Sequence, residues 1–112
     1  MDNLKANYPN IIKGVLETYS TLPIVYQEAE NELVFDDTHG RYLLLRVGWQ
    51  DGRRIYGVII QLDLINDKIW IQQDYTETGV AYDLEAAGVP KQDIVLAFHE
   101  PAVRPHTGYA VA

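Results

Sequence analysis

Hydrophobic positions near the start of the chain recur at helical spacing. Leu4, Tyr8, Ile11, Ile12, Val15 and Tyr19 make one apolar stripe among polar residues, as in an amphipathic helix lying on a core. Pro9 falls inside the stripe. Its missing N–H is harmless only in the first turn of a helix. The helix therefore either begins near Pro9 or kinks there after a first turn from Asn3, and Pro23 closes it.

From Asn31 the period changes to two, with Leu33 and Phe35 alternating with polar neighbours. Asp36 to Gly40 reads as a turn. Arg41 to Gln50 reads as a strand, Asp51-Gly52 as a hairpin turn and Arg53 to Leu64 as the returning strand. Asn66-Asp67 is a second tight turn before a strand at Lys68 to Gln73. After Asp74 the pattern turns helical again. Thr76 or Thr78 can cap, Val80, Leu84 and Ala87 share a side, and Gly88 with Pro90 stops the helix. A short turn at Lys91 to Asp93 leads into the apolar run Ile94 to Phe98, which reads as a buried strand. The tail from Pro101 ends in apolar Tyr109, Val111 and Ala112, more than a solvated tail needs. The expected class is α+β, one domain over 1–112. An N-terminal helix packs on an antiparallel β-meander of about four strands, followed by a short helix and a C-terminal strand or extended tail.

Two-residue turns at both hairpins set the register, and register sorts side chains between faces. Trp49 should lie opposite Arg54, Val47 opposite Tyr56, Leu45 opposite Val58 and Leu43 opposite Ile60. Leu64 should meet Ile69, and Leu62 should meet Ile71. The core face would then hold Leu43, Leu45, Val47, Tyr56, Val58, Ile60, Leu62, Ile69 and Ile71, with Trp49 also a packing residue and the first helix as cover. The second face would carry Tyr42, Leu44, Ile55, Ile59 and Trp70 among Arg46, Arg53, Gln50, Gln61, Asp63 and Gln72. A free sheet face is mainly polar. This one is half apolar, so the C-terminal segment, a second copy or another protein should cover it. Gly57, opposite Arg46, leaves room for that arginine or for a partner's backbone.

Composition narrows the function. The 112 residues have no cysteine, which excludes disulfides and thiolate metal sites and suits a reducing cytoplasm. No apolar run reaches the length of a membrane span, and the opening residues do not form a signal peptide. The expected location is cytoplasmic. The formal net charge is −7, from 16 acidic and 9 basic residues. Such a chain repels the phosphate backbone, which makes direct nucleic-acid binding the weaker expectation.

Candidate chemistry is sparse. No nucleophile triad, phosphate loop, dinucleotide fingerprint or His-Glu-x-x-His motif occurs. Asp74, Glu77 and His99 are the nearest approach to an acid/base or metal site. The stronger reading is structural: two carboxylates at a helix start and a hydrogen-bonded histidine. No catalytic, cofactor or metal residue is expected. Arg41, Arg46, Arg53 and Arg54 gather near the first hairpin. With Trp70 and Tyr42 they are the residue types enriched at protein interfaces, and the same set could grip and stack on nucleic acid. The expected partner-binding residues are Tyr42, Arg46, Arg53, Ile59, Trp70 and Gln72.

Residues 68–112 contain Lys-Ile-Trp-Ile-Gln-Gln-Asp, Thr-Glu-Thr-Gly-Val-Ala, Ala-Gly-Val-Pro-Lys-Gln-Asp-Ile-Val-Leu-Ala-Phe-His and a final Tyr-Ala-Val-Ala. Upstream lie Tyr-Leu-Leu-Leu-Arg-Val-Gly-Trp from Tyr42 and Arg-Arg-Ile-Tyr-Gly from Arg53, then the Leu62-Asp63-Leu64 strand. These blocks, in this order, resemble the XisI family of fdxN-element excision controlling factors, small cyanobacterial proteins. Pro9 and Tyr75 are the small departures. The resemblance implies a non-enzymatic role in controlling site-specific excision of the fdxN element during heterocyst differentiation. It also implies action through a XisH-like partner with a nuclease-like fold, and it supplies no catalytic residues. Self-association, a DNA-binding directionality factor and an antitoxin-like inhibitor of a nuclease partner are the alternatives.

Overall fold

A computed structural model of the chain describes residues 5–22 and 28–112. Helix α1 spans Tyr8–Ser20 with Pro9 in its first turn, and Lys5 and Ala6 just before it are also helical, set off from it by a turn at Asn7. The expectations for Asn3, Leu4 and Pro23 lie outside the described residues. Five strands follow, β1 Glu28–Asp36, β2 Arg41–Gln50, β3 Arg53–Ile65, β4 Lys68–Asp74 and β5 Ile94–Leu96, with helix α2 at Val80–Ala86 between the last two. They form one sheet in the order β1-β2-β3-β4-β5. The first four are antiparallel neighbours, and β5 runs parallel to β4. A parallel neighbour requires a crossover, and α2 lies in it.

Both hairpin turns have positive φ at their two central residues, Asp51 and Gly52, then Asn66 and Asp67. This geometry matches the right-handed twist of the flanking strands. The registers expected near the turns are present: Trp49 faces Arg54, Val47 faces Tyr56, Leu45 faces Val58, Leu64 faces Ile69 and Leu62 faces Ile71. Gly48 sits where β1 closes on β2. A Cβ there would collide with the Glu28 carbonyl and the Ala29 backbone.

Beyond Val58 the register shifts. Leu44 pairs with Ile60 and Leu43 with Gln61, leaving Ile59 as the extra residue of a β-bulge. A second shift between Gln61 and Leu62 leaves Gln72 extra on β4. Each extra residue exchanges the two faces of its strand. The bulge carbonyls are satisfied by the end of β4 and the residue after it: the Gln73 side-chain amide donates to Val58, and the Tyr75 N–H donates to Ile59 at 3.0 Å.

The expected core face is therefore corrected. Tyr42 and Leu44, expected on the second face, are about 1% exposed and sit in the core with Ile60, Leu62, Ile69 and Ile71. Leu43, Leu45, Val47, Tyr56 and Val58, expected in the core, lie on the opposite side. The physical cause is the continuous apolar runs Leu43-Leu44-Leu45 and Val58-Ile59-Ile60, in which a one-residue slip leaves no mark. Trp49 is 47% exposed, so it is not a core residue. The core is closed by Tyr8, Ile12 and Leu16 of α1, Val80 and Leu84 of α2, and Ile94 of β5. Ala87, expected on the inner side of α2, is exposed just beyond its end, and Gly88 stops the helix with φ +105°.

Four tyrosines donate to carboxylates, three of them distant in sequence and the fourth across the β1–β2 turn. Tyr8 donates to Asp93 (2.6 Å), Tyr19 to Asp83 (2.5 Å), Tyr42 to Asp37 (2.8 Å) and Tyr109 to Glu85 (2.5 Å). No local pattern signals the three long-range pairs.

Candidate partner-binding face

Both helices pack on one side of the sheet. The other side carries an apolar strip across its first three strands, made by Val34, Leu43, Leu45, Val47, Trp49, Tyr56 and Val58. Val34 is 48% exposed and Tyr56 68%. The Arg54 guanidinium lies over both Trp49 (5.2 Å) and Tyr56 (5.6 Å), so one cation is shared between the two rings. Along β1 the strip is bordered by Glu28, Glu30 and Glu32, paired across to Trp49, Val47 and Leu45. All three are exposed, and among the described residues none belongs to an ion pair.

At the β4 end this face is already covered by the tail. Val95, opposite Trp70, is fully buried, and Ala110 bridges to it. Trp70 is half-buried, with the Arg104 guanidinium 5.5 Å above its ring. Arg104 also donates to the carbonyls of His99 (3.0 Å), Ala97 (3.3 Å) and Val111 (3.5 Å). The apolar end of the tail is thus used to close the molecule, and Arg104, which the sequence does not single out, is its clasp. With Trp49→Phe as background, leaving Trp70 the sole tryptophan, Arg104→Ala should shift Trp70 emission to the red. It should also cost about 1–3 kcal/mol in urea unfolding, the usual worth of charged hydrogen bonds. Unchanged emission would remove Arg104 as the clasp.

The six expected partner-binding residues do not form one surface. Tyr42 is in the core. Ile59, at the bulge, packs against the core, and with Arg46 it lines a shallow cleft on the helix side beside Tyr19 and Glu77. Arg46 faces Gly57 and donates to Asn31 at 3.3 Å, on the side that α1 occupies. Arg53 pairs with Gln50 near the hairpin tip, on the same side. Gln72 is the exposed extra residue of the second bulge. Trp70 alone lies on the open face, at its covered end. The arginines are likewise divided by strand alternation, Arg46 and Arg53 to the helix side and Arg41 and Arg54 to the open side. They do not make a single cationic patch.

Asp74, Glu77 and His99 have separate occupations. The Asp74 carboxylate accepts from the Thr76 N–H (2.9 Å), the Thr76 hydroxyl (2.6 Å) and the Val80 N–H (2.7 Å), satisfying donors at the start of α2. Thr76 in turn accepts from the Gly79 N–H at 3.0 Å. Glu77 is exposed, and the His99 ring lies against Phe98 at 4.6 Å. Among the described residues no three His, Asp or Glu side chains are placed to share a metal ion, and no helix is long and apolar enough to cross a membrane. In the turn after β1, the hydrogen bond from His39 holds the Asp36 carboxyl below its usual range. Lys13 and then Tyr42 do the same for Asp37. These are turn contacts at the rim of the helix side.

A family model described as XisI protein matches residues 1–111. The fold is similar to the crystal structure of a XisI-like protein from Anabaena variabilis ATCC 29413, with 36% identity, a TM-score of 0.90, and coverage of 96% of this chain and 99% of that one. It is also similar to the fdxN element excision controlling factor XisI from the same organism, with 31% identity, a TM-score of 0.83, and coverage of 96% and 98%. No curated protein shows significant similarity to the chain.

Proposed function

The chain belongs to the XisI family, and from that premise we propose that it is a non-enzymatic controlling factor for site-specific DNA excision that works by docking another protein. The carrying observation is the apolar strip of the open sheet face, formed by Leu43, Leu45, Val47, Trp49, Tyr56 and Val58. A monomer of this size has little reason to leave such a strip in water. Its centre is aromatic and aliphatic with an arginine stacked upon it, the composition of interface hot spots. The partner we assign to it is a XisH-like protein, and the process is excision of an fdxN-type element. The acidic margin along β1 and the net charge of −7 suit a partner with a basic surface.

Capture of the cognate XisH-like protein by the immobilised chain tests this reading. Leu45→Asp with Tyr56→Asp places two charges in the strip and should lower capture at least tenfold while circular dichroism stays native. Arg46→Ala, on the helix side, should leave capture unchanged. Equal capture by the wild type and the double variant would rule out the open face.

A further inference from the structure

Among the described residues β1 is an edge strand, because the strand order leaves one of its sides without a neighbour. It is nine residues long, contains no proline and keeps unbroken register with β2. Among the described residues no backbone hydrogen bond reaches it from outside the sheet. The other end of the sheet differs: β5 has three residues and is bridged by Ala110. Unpaired N–H and C=O groups along a straight edge are a template for an added strand.

Side-chain charge decides which strand can be added. Two copies meeting edge to edge about a twofold axis normal to the sheet pair antiparallel and keep each face on its own side. Even-numbered positions then oppose even-numbered positions. In β1 these are Glu28, Glu30, Glu32, Val34 and Asp36. Every register of useful length sets at least one acid directly opposite another, and like charges so placed are destabilising. The chain's own neighbours do not relieve this charge, since Trp49, Val47 and Leu45 stand beside the three glutamates.

We propose that the β1 edge accepts a strand from a different protein. That strand would carry Lys or Arg at alternate positions facing Glu28, Glu30 and Glu32, with small or apolar residues between them beside Ala29, Asn31 and Leu33. It extends the sheet and brings the rest of its protein over the adjoining apolar strip. The inference deepens the docking reading above, but it can be tested without that partner.

Reversing the charge of one edge supplies the complementary strand. The E28K/E30K/E32K variant mixed with wild type can pair positions 28 with 32, 30 with 30 and 32 with 28, each a Glu–Lys pair. Both proteins carry Leu45→Asp and Tyr56→Asp, so that the open face does not contribute, and wild type here refers to the sequence of β1 alone. Sedimentation at low salt should show a dimer in the mixture and in neither protein alone. Its affinity should fall at least tenfold at high salt, and hydrogen exchange should show new protection of β1 amides. The single E30K variant, mixed with wild type in the same background, should give a weaker dimer of the same kind, guarding against misfolding of the triple variant. Absence of a mixed dimer overturns the proposal, as does a mixed dimer without β1 protection or a wild-type dimer protected at β1. The docking reading fails separately, by unchanged capture in the strip variants.

Discussion

Leu44→Ala is expected to cost about 2–5 kcal/mol of folding stability, as truncating a large buried aliphatic does, while Tyr56→Ala on the open face stays within roughly 0.5 kcal/mol. Leu44 is 1% exposed, lies opposite Ile60 and faces the helices. Truncating it leaves a hole between sheet and helix that neither hairpin can close, because the turns and bulges fix both strands. Tyr56 is 68% exposed and leaves behind only solvated surface and a freed Arg54. The comparison tests the bulge at Ile59. In an unbulged hairpin Leu44 would be the outward residue and Tyr56 the core residue, and the order of the two costs would reverse. Urea denaturation of the two variants decides between these arrangements.

Stability should hold through neutral and mildly alkaline pH and fall steeply above about pH 10, the ordinary tyrosine value. Burial, followed by the hydrogen bond to Asp37, pushes the Tyr42 phenol up to about 12. Burial, followed by the bonds to Asp93 and Glu85 respectively, also raises Tyr8 and Tyr109, and burial with the Asp83 bond raises Tyr19. In each pair the phenol must keep its proton to donate to a carboxylate, and an ionised phenol would face that carboxylate as a like charge. A folded-state value above the unfolded one means stability is fully present below pH 10 and is lost as pH rises, because the unfolded chain gives up its protons first. Between pH 10 and 12 the buried phenols of Tyr8 and Tyr42 should each contribute a loss approaching 1.4 kcal/mol per pH unit. Unfolding midpoints across this range, read with tyrosinate absorbance, check it, and Tyr42→Phe should make the decline shallower. A stability profile flat to pH 12 would show that these phenols ionise freely in the folded protein.

The alkaline sensitivity and the docking face share a structural origin. The phenol–carboxylate pairs bind α1, α2, the turn after β1 and the tail to one side of the sheet and its far edge. Both α-helices, α1 and α2, are spent on that side. The tail reaches across only as far as Trp70 and Val95, so among the described residues nothing covers the open face of the first three strands or pairs with the outer edge of β1.

Local chemistry made much of this architecture legible. Helical spacing with an early proline marked α1. Asp51-Gly52 and Asn66-Asp67 marked two turns whose positive φ values few other residue pairs accept, and Gly88 marked the end of α2. The expectation of a half-apolar second face also came from alternation alone, although its membership did not. Asp74 as a helix-start acceptor was equally visible, because the spacing to Val80 is local.

What depended on more than a few neighbouring residues was invisible in the chain. The bulge at Ile59 lies within the apolar run Val58-Ile59-Ile60 and the one at Gln72 falls in a Gln-Gln pair, so no pattern of hydrophobicity records either slip. The bulges alone decide that Leu44 is core and Leu45 surface. The Tyr8–Asp93 bond joins positions 85 residues apart, and Arg104 finds Trp70 only because the tail returns across β5. By itself the sequence determined the elements and their order, since propensity and turn geometry act over short stretches of chain. Tertiary structure decided which face is hidden and which edge is free, because strand pairing and long-range hydrogen bonds exist only once the chain has closed upon itself.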